Sequence, residues 1–224
     1  MRSFIIAAAV AGLASTASAQ VVYDSAWDNG FFLAFNKFSS NTERYGDSGW
    51  LGGPGSLPVA LDSIKLGMVV YNGGAAPIAA GTTDLSFTLN DGDPSGFVFG
   101  SGSTLYSTTI KSMPLPELEP GQLSVVPVSI PLYGTSLLGG FNNVGFSVGV
   151  DNFAYDGGLG FQCSSGMTVG FYTVNYSYYN GSAWNLYSLN PIGQFLATMY
   201  GTVPAPGALG LLGLAGLSAA RRRR

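Results

Sequence analysis

The stretch Tyr172-Thr-Val-Asn-Tyr-Ser-Tyr-Tyr-Asn180-Gly181-Ser-Ala-Trp-Asn-Leu-Tyr-Ser-Leu189 decides the fold. Two runs of aromatic and β-favouring residues flank Asn180-Gly181, and both turn residues tolerate the positive φ that a tight hairpin needs. The spacing predicts strands over 172–179 and 182–189, joined by that turn.

The same alternation recurs upstream. Ile64, Leu66, Met68 and Val70 share one face of 62–71, and Leu85, Phe87 and Leu89 alternate with Ser86 and Thr88 before the turn 90–94. Val144, Phe146, Val148 and Val150 oppose Gly145, Ser147 and Gly149, and residues 195–200 offer a last strand. Val126, Val128, Ile130 and Leu132 alternate as well, but Pro127 and Pro131 lie between them. Proline donates nothing to a ladder, so this segment is expected at a sheet edge. Residues 30–58 have the least regular pattern and are expected to form a long loop or an irregular strand. Many short strands separated by Gly/Asn/Pro turns imply an all-β fold, an antiparallel β-sandwich of jelly-roll type. An outer-membrane barrel would also alternate, but its lumen calls for more charge than this body carries.

The expected organisation is a signal segment 1–19, a sandwich domain 20–202 and a C-terminal segment 203–224. The whole chain has a formal charge of −3, but Arg2 and Arg221 to Arg224 supply five of its nine cations. The domain itself keeps Lys37, Arg44, Lys65 and Lys111 against 12 acids, a net of −8. So acidic a body repels phosphate backbones, and nucleic acid is not an expected partner. The single cysteine, Cys163, has no internal disulfide partner and is expected to be buried as a small apolar residue.

The chain contains no histidine, which removes Ser-His-Asp and Cys-His catalysis and His-ligated zinc. Gly145-Phe-Ser147-Val-Gly149 fits the G-x-S-x-G pattern, but it lies in an alternating strand rather than at a strand-to-helix turn. Asp47-Ser48-Gly49 matches half of an aspartic-protease dyad and has no second half. Glu117 and Glu119 sit too close together in a Pro-rich loop to face each other across a sugar. No catalytic residue is assigned and the protein is expected not to be an enzyme; a hydrolase built on carboxylates alone is the weakest alternative.

Two binding chemistries remain. Asn90, Asp91 and Asp93 place oxygen ligands in one turn and form a candidate calcium site, with Asp151, Asn152 and Asp156 a weaker second. In the aromatic hairpin, Tyr176, Tyr178, Trp184 and Tyr187 are interleaved with Asn175, Asn180 and Asn185. Aromatic faces beside amides suit a sugar ring, although cross-strand packing alone also explains such residues.

The two ends describe a route. Arg2, the apolar run 4–13 and Ala17-Ser18-Ala19 form a secretory signal with cleavage expected before Gln20. At the other end stand Val203, Pro204, Ala205 and Pro206, then an apolar run to Ala220, then Arg221, Arg222, Arg223 and Arg224. As a helix, 207–220 would reach about 21 Å, short of the ~30 Å hydrocarbon core. The arginines are expected to stay cytoplasmic by the positive-inside rule. This end resembles the PEP-CTERM sorting domain, with Ala205 where the family name records a glutamate. The resemblance implies export in a Gram-negative bacterium, transient membrane association through the tail, and cleavage by an exosortase-like processing enzyme. Together these observations lead us to expect an exported protein of the cell surface or extracellular matrix with a structural or adhesive role. The alternative is a lectin-like module that contacts extracellular polysaccharide through the hairpin.

Overall fold

The computed structural model describes residues 19–25, 28–35, 43–52, 59–98, 100–136, 143–172, 175–188 and 194–202. The signal segment up to residue 18 and the tail from 203 onwards lie outside them, so the helices expected at both ends are not described. The described residues form strands and no helix. In chain order the first seven are Ala19–Asp24 (β1), Asp28–Ala34 (β2), Glu43–Trp50 (β3), Ala60–Tyr71 (β4), Gly81–Gly92 (β5), Gly100–Leu115 (β6) and Leu123–Ser136 (β7). There follow Asn143–Ala154 (β8), Gly158–Ser164 (β9), Phe171–Tyr172 (β10), Asn175–Asn180 (β11), Trp184–Ser188 (β12), Gln194–Phe195 (β13) and Ala197–Thr202 (β14).

These strands make two antiparallel sheets packed face to face. The first contains the order β2-β9-β4-β7; β14 runs beside the first half of β4 and carries β1 on its far side. The second runs β12-β11-β3-β8-β5-β6, with β10 on the end of β3. The chain passes repeatedly from sheet to sheet, so almost every strand finds a neighbour distant in sequence.

Alternation places the core where the sequence predicts it. Ile64, Leu66, Met68 and Val70 of β4 are buried against Leu85, Phe87 and Leu89 of β5 and Val144, Phe146 and Val148 of β8. Phe161 stacks on Phe195 at 4.2 Å between ring centroids, and Phe146 meets Phe161 edge-on from the opposite sheet. Cys163 is buried in the same core and forms no disulfide; burial pushes its thiol up to about 12. β7 pairs only with β4 among the described strands, and Pro127 and Pro131 stand opposite Gly67 and Ser63 on it. Its free edge asks for no proline N–H, as expected.

Two sequence expectations need adjustment. The irregular region 30–58 contributes β2 and β3, and β3 is an interior strand of the second sheet, between β8 and β11. The hairpin turn also sits one residue further on. Asn180 N–H donates to Ala183 O, Gly181 takes φ +93° as the first central residue, and Asn180 Oδ1 accepts from Ser182 N and Ala183 N. Glycine first and a free second residue is what a II′-type turn requires, so the Asn side chain caps the turn from outside rather than lying within it.

Candidate functional site

Parity along β11 and β12 sorts the aromatic hairpin into two faces. Tyr176 pairs with Tyr187 and Tyr178 with Asn185, on the face that packs against the other sheet. Tyr176 is buried, stacks on Tyr187 at 5.5 Å and meets Phe195 edge-on. Tyr178 packs against Tyr45 at 5.2 Å, and its hydroxyl donates to Glu43 Oε1 at 2.7 Å. Burial pushes the Tyr178 phenol up to about 12, and the Glu43 carboxylate adds to the shift. Of the four aromatic residues expected to contact sugar, Tyr176, Tyr178 and Tyr187 therefore share the inward parity, with Tyr187 on the end strand still 44% exposed.

Trp184 faces the other way. Its register partner is Tyr179, with ring centroids 5.3 Å apart. Tyr179 stands opposite Arg44 of β3, Arg44 opposite Gly149 of β8, Gly149 opposite Ser86 of β5, and Ser86 opposite Thr109 of β6. The next row across the sheet reads Leu186, Ser177, Gly46, Ser147, Thr88 and Ser107. Ser177, Gly46 and Ser147 are buried in this row, Ser177 donating to Asp93 and Gly46 lying against Pro94. The face therefore reaches solvent at the partly exposed Trp184–Tyr179 pair on one side and at Thr109 and Ser107 on the other, with Arg44 between them.

Arg44 lies flat across this face. Its Nε donates to Ser147 Oγ at 3.3 Å, Nη1 to Ser86 Oγ at 3.2 Å, and Nη2 to Thr88 Oγ1 at 2.8 Å. Gly149 makes this posture available, since a Cβ there would stand 2.8 Å from Ser86 Oγ and 3.2 Å from Arg44 Cγ. Burial lowers the guanidinium's pKa and Asp151 partly offsets this; arginine keeps its charge under such shifts. Ser147, the serine of the G-x-S-x-G match, is a hydrogen-bond acceptor for Arg44 in the middle of β8.

The candidate calcium turn is occupied by hydrogen bonds. Asn90 Nδ2 donates to Gly102 O at 2.9 Å, and Asp91 Oδ2 accepts from Ser101 Oγ at 2.9 Å. Asp93 accepts from the backbone N–H groups of Ser95, Phe97 and Val98 and from the hydroxyls of Ser95 and Ser177. Asn90 Oδ1 is the oxygen of the turn that is buried without a hydrogen-bond partner. Among the described residues no three His, Cys, Asp or Glu side chains gather as a metal site would require. In the second candidate, Asn152 Nδ2 donates to Asp84 Oδ2 at 2.7 Å, while Asp156 lines a recess formed with the 71–78 loop.

The remaining acids are separated. Asp47 is buried between the sheets, and Glu117 and Glu119 are exposed on either side of the buried Leu118. Ala19 and Gln20, at the expected signal cleavage point, begin β1 and are exposed; Ala17 and all of Val203 to Pro206 and Arg221 to Arg224 lie outside the described residues.

No protein family matches this chain, and no curated protein sequence does. Among solved structures, the VP2 protein of infectious bursal disease virus in derived T=1 particles is similar at 11% identity and a TM-score of 0.28, over 92% of this chain and 48% of that one. The T13 particle of the same virus gives 11% identity and a TM-score of 0.28, over 86% of this chain and 41% of that one. The chain thus spans about half the length of these neighbours or less.

Proposed function

We propose that this is an exported, non-enzymatic protein of the cell surface or extracellular matrix, whose adhesive role is exerted by contact with polysaccharide. The single observation that carries the glycan contact is the outer face of the second sheet, where Trp184 and Tyr179 form a partly exposed aromatic pair beside Arg44, with the hydroxyls of Ser86, Thr88, Ser107 and Thr109 beyond it. A sugar ring offers an apolar C–H face to an aromatic ring and hydroxyls to polar neighbours, and this face provides both. The fold is read as a jelly roll. The orders β2-β9-β4-β7 and β3-β8-β5-β6, woven by a chain that alternates between them, support that reading.

Export and sorting rest on the sequence ends, the A-x-A site before Gln20 and the PEP-CTERM-like tail with its Arg block. The tail's partners would be the export machinery and an exosortase-like enzyme, with the membrane held only until processing. Polysaccharide pull-down with the full-length protein tests the contact. Trp184→Ala and Tyr179→Ala are expected to abolish retention on the host's extracellular polysaccharide while leaving the unfolding transition cooperative. Undiminished retention of both variants would sink the reading.

A further inference from the structure

Arg44 makes no ion pair among the described residues, and Asp151 acts on it only at longer range. Among the described residues the ion pair is Lys111 with Asp84, and no carboxylate oxygen lies within 4.0 Å of the Arg44 guanidinium. Lys65 instead stands over the Tyr200 ring at 5.1 Å. A mostly desolvated charge in a body of net −8 would ordinarily be neutralised by one of its many acids. Here Ser147, Ser86 and Thr88 hold it through their oxygens.

That arrangement polarises the hydroxyls. Each oxygen accepts from the guanidinium, and the Ser86 and Thr88 hydroxyls donate to no described group in return. Both side chains are partly exposed, so their O–H groups are free to turn as donors towards solvent around a fixed positive charge. Such a cradle discriminates by charge, because an anion accepts from the hydroxyls and compensates Arg44, whereas a neutral hydroxyl does only the former. Asp151, whose charge acts on Arg44, lies two residues beyond Gly149 on β8 and pairs with Asp84 of β5.

We propose that Ser86, Thr88 and Arg44 form an oxyanion subsite that takes the carboxylate of a single uronate unit, so that the polysaccharide recognised carries isolated carboxylates on a largely neutral chain. A body of net −8 repels such a chain far less than a phosphate backbone charged at every unit. This rests on the glycan-binding reading above, and places the charged group about three strand spacings from Tyr179, across β3 and β8. That separation, roughly 14 Å at about 4.8 Å per strand, is bridged by a short oligosaccharide rather than by a single pyranose.

Calorimetric titration of the full-length protein with a neutral oligosaccharide bearing one uronate unit, with the same oligomer after carboxyl reduction, and with acetate tests this. The expected result is about tenfold or more tighter binding of the acidic oligomer, as a charged hydrogen bond is worth. Arg44→Gln is expected to abolish that preference and retain the weaker neutral binding. Gly149→Ala keeps every donor but lifts the guanidinium off Ser86, and is expected to reduce the preference in the same direction if Arg44→Gln proves too unstable to measure. Equal affinity for both oligomers, with Trp184→Ala still abolishing binding, would overturn the subsite and leave the glycan reading standing. Acetate binding as tightly as the oligomer would overturn the sugar as the source of the carboxylate. Binding of none of the three would overturn both.

Discussion

The buried carboxyl group of Asp47, on β3, accepts a 2.9 Å hydrogen bond from the backbone N–H of Phe195, on β13 of the opposite sheet. Its other oxygen accepts from Ser48 N at 2.7 Å. One side chain therefore satisfies a backbone donor across the sandwich, at the point where the strand changes from β13 to β14. Burial is the dominant influence on it and pushes its pKa up to about 8, against the two N–H donors, which favour the ionised form.

This gives the domain a pH-dependent stability of definite sign. Above about pH 4 the unfolded chain releases this proton while the folded chain keeps it. The group's contribution is thus fully present below about pH 4 and is lost as pH rises towards 8, where the folded carboxyl ionises. Urea midpoints are expected to fall between pH 5 and 7.5, by up to about 1.4 kcal/mol per pH unit from this group. Asp47→Asn should flatten that slope. It should also lower stability at pH 5 by about 1–3 kcal/mol, because the amide presents a donor to one of the two buried N–H groups. A variant that keeps the wild-type slope would remove Asp47 as its source.

Asp84 has the opposite sign. It occupies a bulge of β5 where the register slips against both β6 and β8. Lys111 Nζ at 2.7 Å, Ser112 N at 2.8 Å and Asn152 Nδ2 at 2.7 Å converge on it. Ser112 and Asn152 both adopt left-handed φ, +49° and +46°, to make those bonds. The Lys111 bond first, then those of Ser112 and Asn152, hold the carboxyl down to about 2. Its contribution is present above the ordinary carboxyl range near pH 4 and is lost as pH falls towards 2. Lys111→Ala and Asn152→Ala are each expected to lower the urea midpoint above pH 5, to move the acid-unfolding midpoint to higher pH in a fluorescence titration, and to approach the wild-type stability as pH falls towards 2. An unmoved acid midpoint in both would show that the bulge is held by something else.

The strands legible in the sequence were those with an apolar inner face, β4, β5, β7 and β8. β3 was hidden because its inner positions are Tyr45, Asp47 and Gly49 and its outer ones Arg44, Gly46 and Ser48. No hydropathy period survives in such a pattern, although Asp47 and Ser48 are as buried as the aliphatic core. The site was half legible for a related reason. Aromatic density marked the hairpin, but density ignores parity, and parity separates Trp184 from Tyr176, Tyr178 and Tyr187. Tyr179 was readable from its pairing with Trp184. The Arg44 cradle was not, since its hydroxyl partners lie 42, 44 and 103 residues away in sequence and meet only through the strand order.

Ala19 and Thr202 are register partners on β1 and β14, so the two segments expected to direct export and sorting leave the domain from one corner. β14 lies between β1 and β4, with Ala197 and Met199 fully buried, and its ladder runs as far as Thr202. Truncation after Thr202 is expected to leave the urea midpoint within about 0.5 kcal/mol of the full-length value, the range of surface changes. Truncation after Leu196 removes an interior strand and should abolish the cooperative transition. Mass spectrometry of the surface form should give Gln20 as its first residue and an end beyond Thr202. An intact Arg224 would rule against processing of the tail.

The division of the hairpin into two faces predicts two kinds of loss. Tyr176 fills space between the sheets against Tyr45, Phe195 and Tyr187. Tyr176→Ala should therefore cost about 3–5 kcal/mol, as large aromatic truncations in a core do. Trp184 contacts Tyr179 on the outer face, and its removal should cost about 1 kcal/mol and leave the core intact. Tyr178→Phe deletes the hydroxyl that donates to Glu43 Oε1 and should cost about 1–3 kcal/mol by leaving a buried carboxylate short of a donor. Polysaccharide binding measured on the same proteins should follow the reverse order, lost in Trp184→Ala and retained in Tyr178→Phe. A stable Tyr178→Phe that no longer binds would move the sugar contact to the inward-facing side of the hairpin.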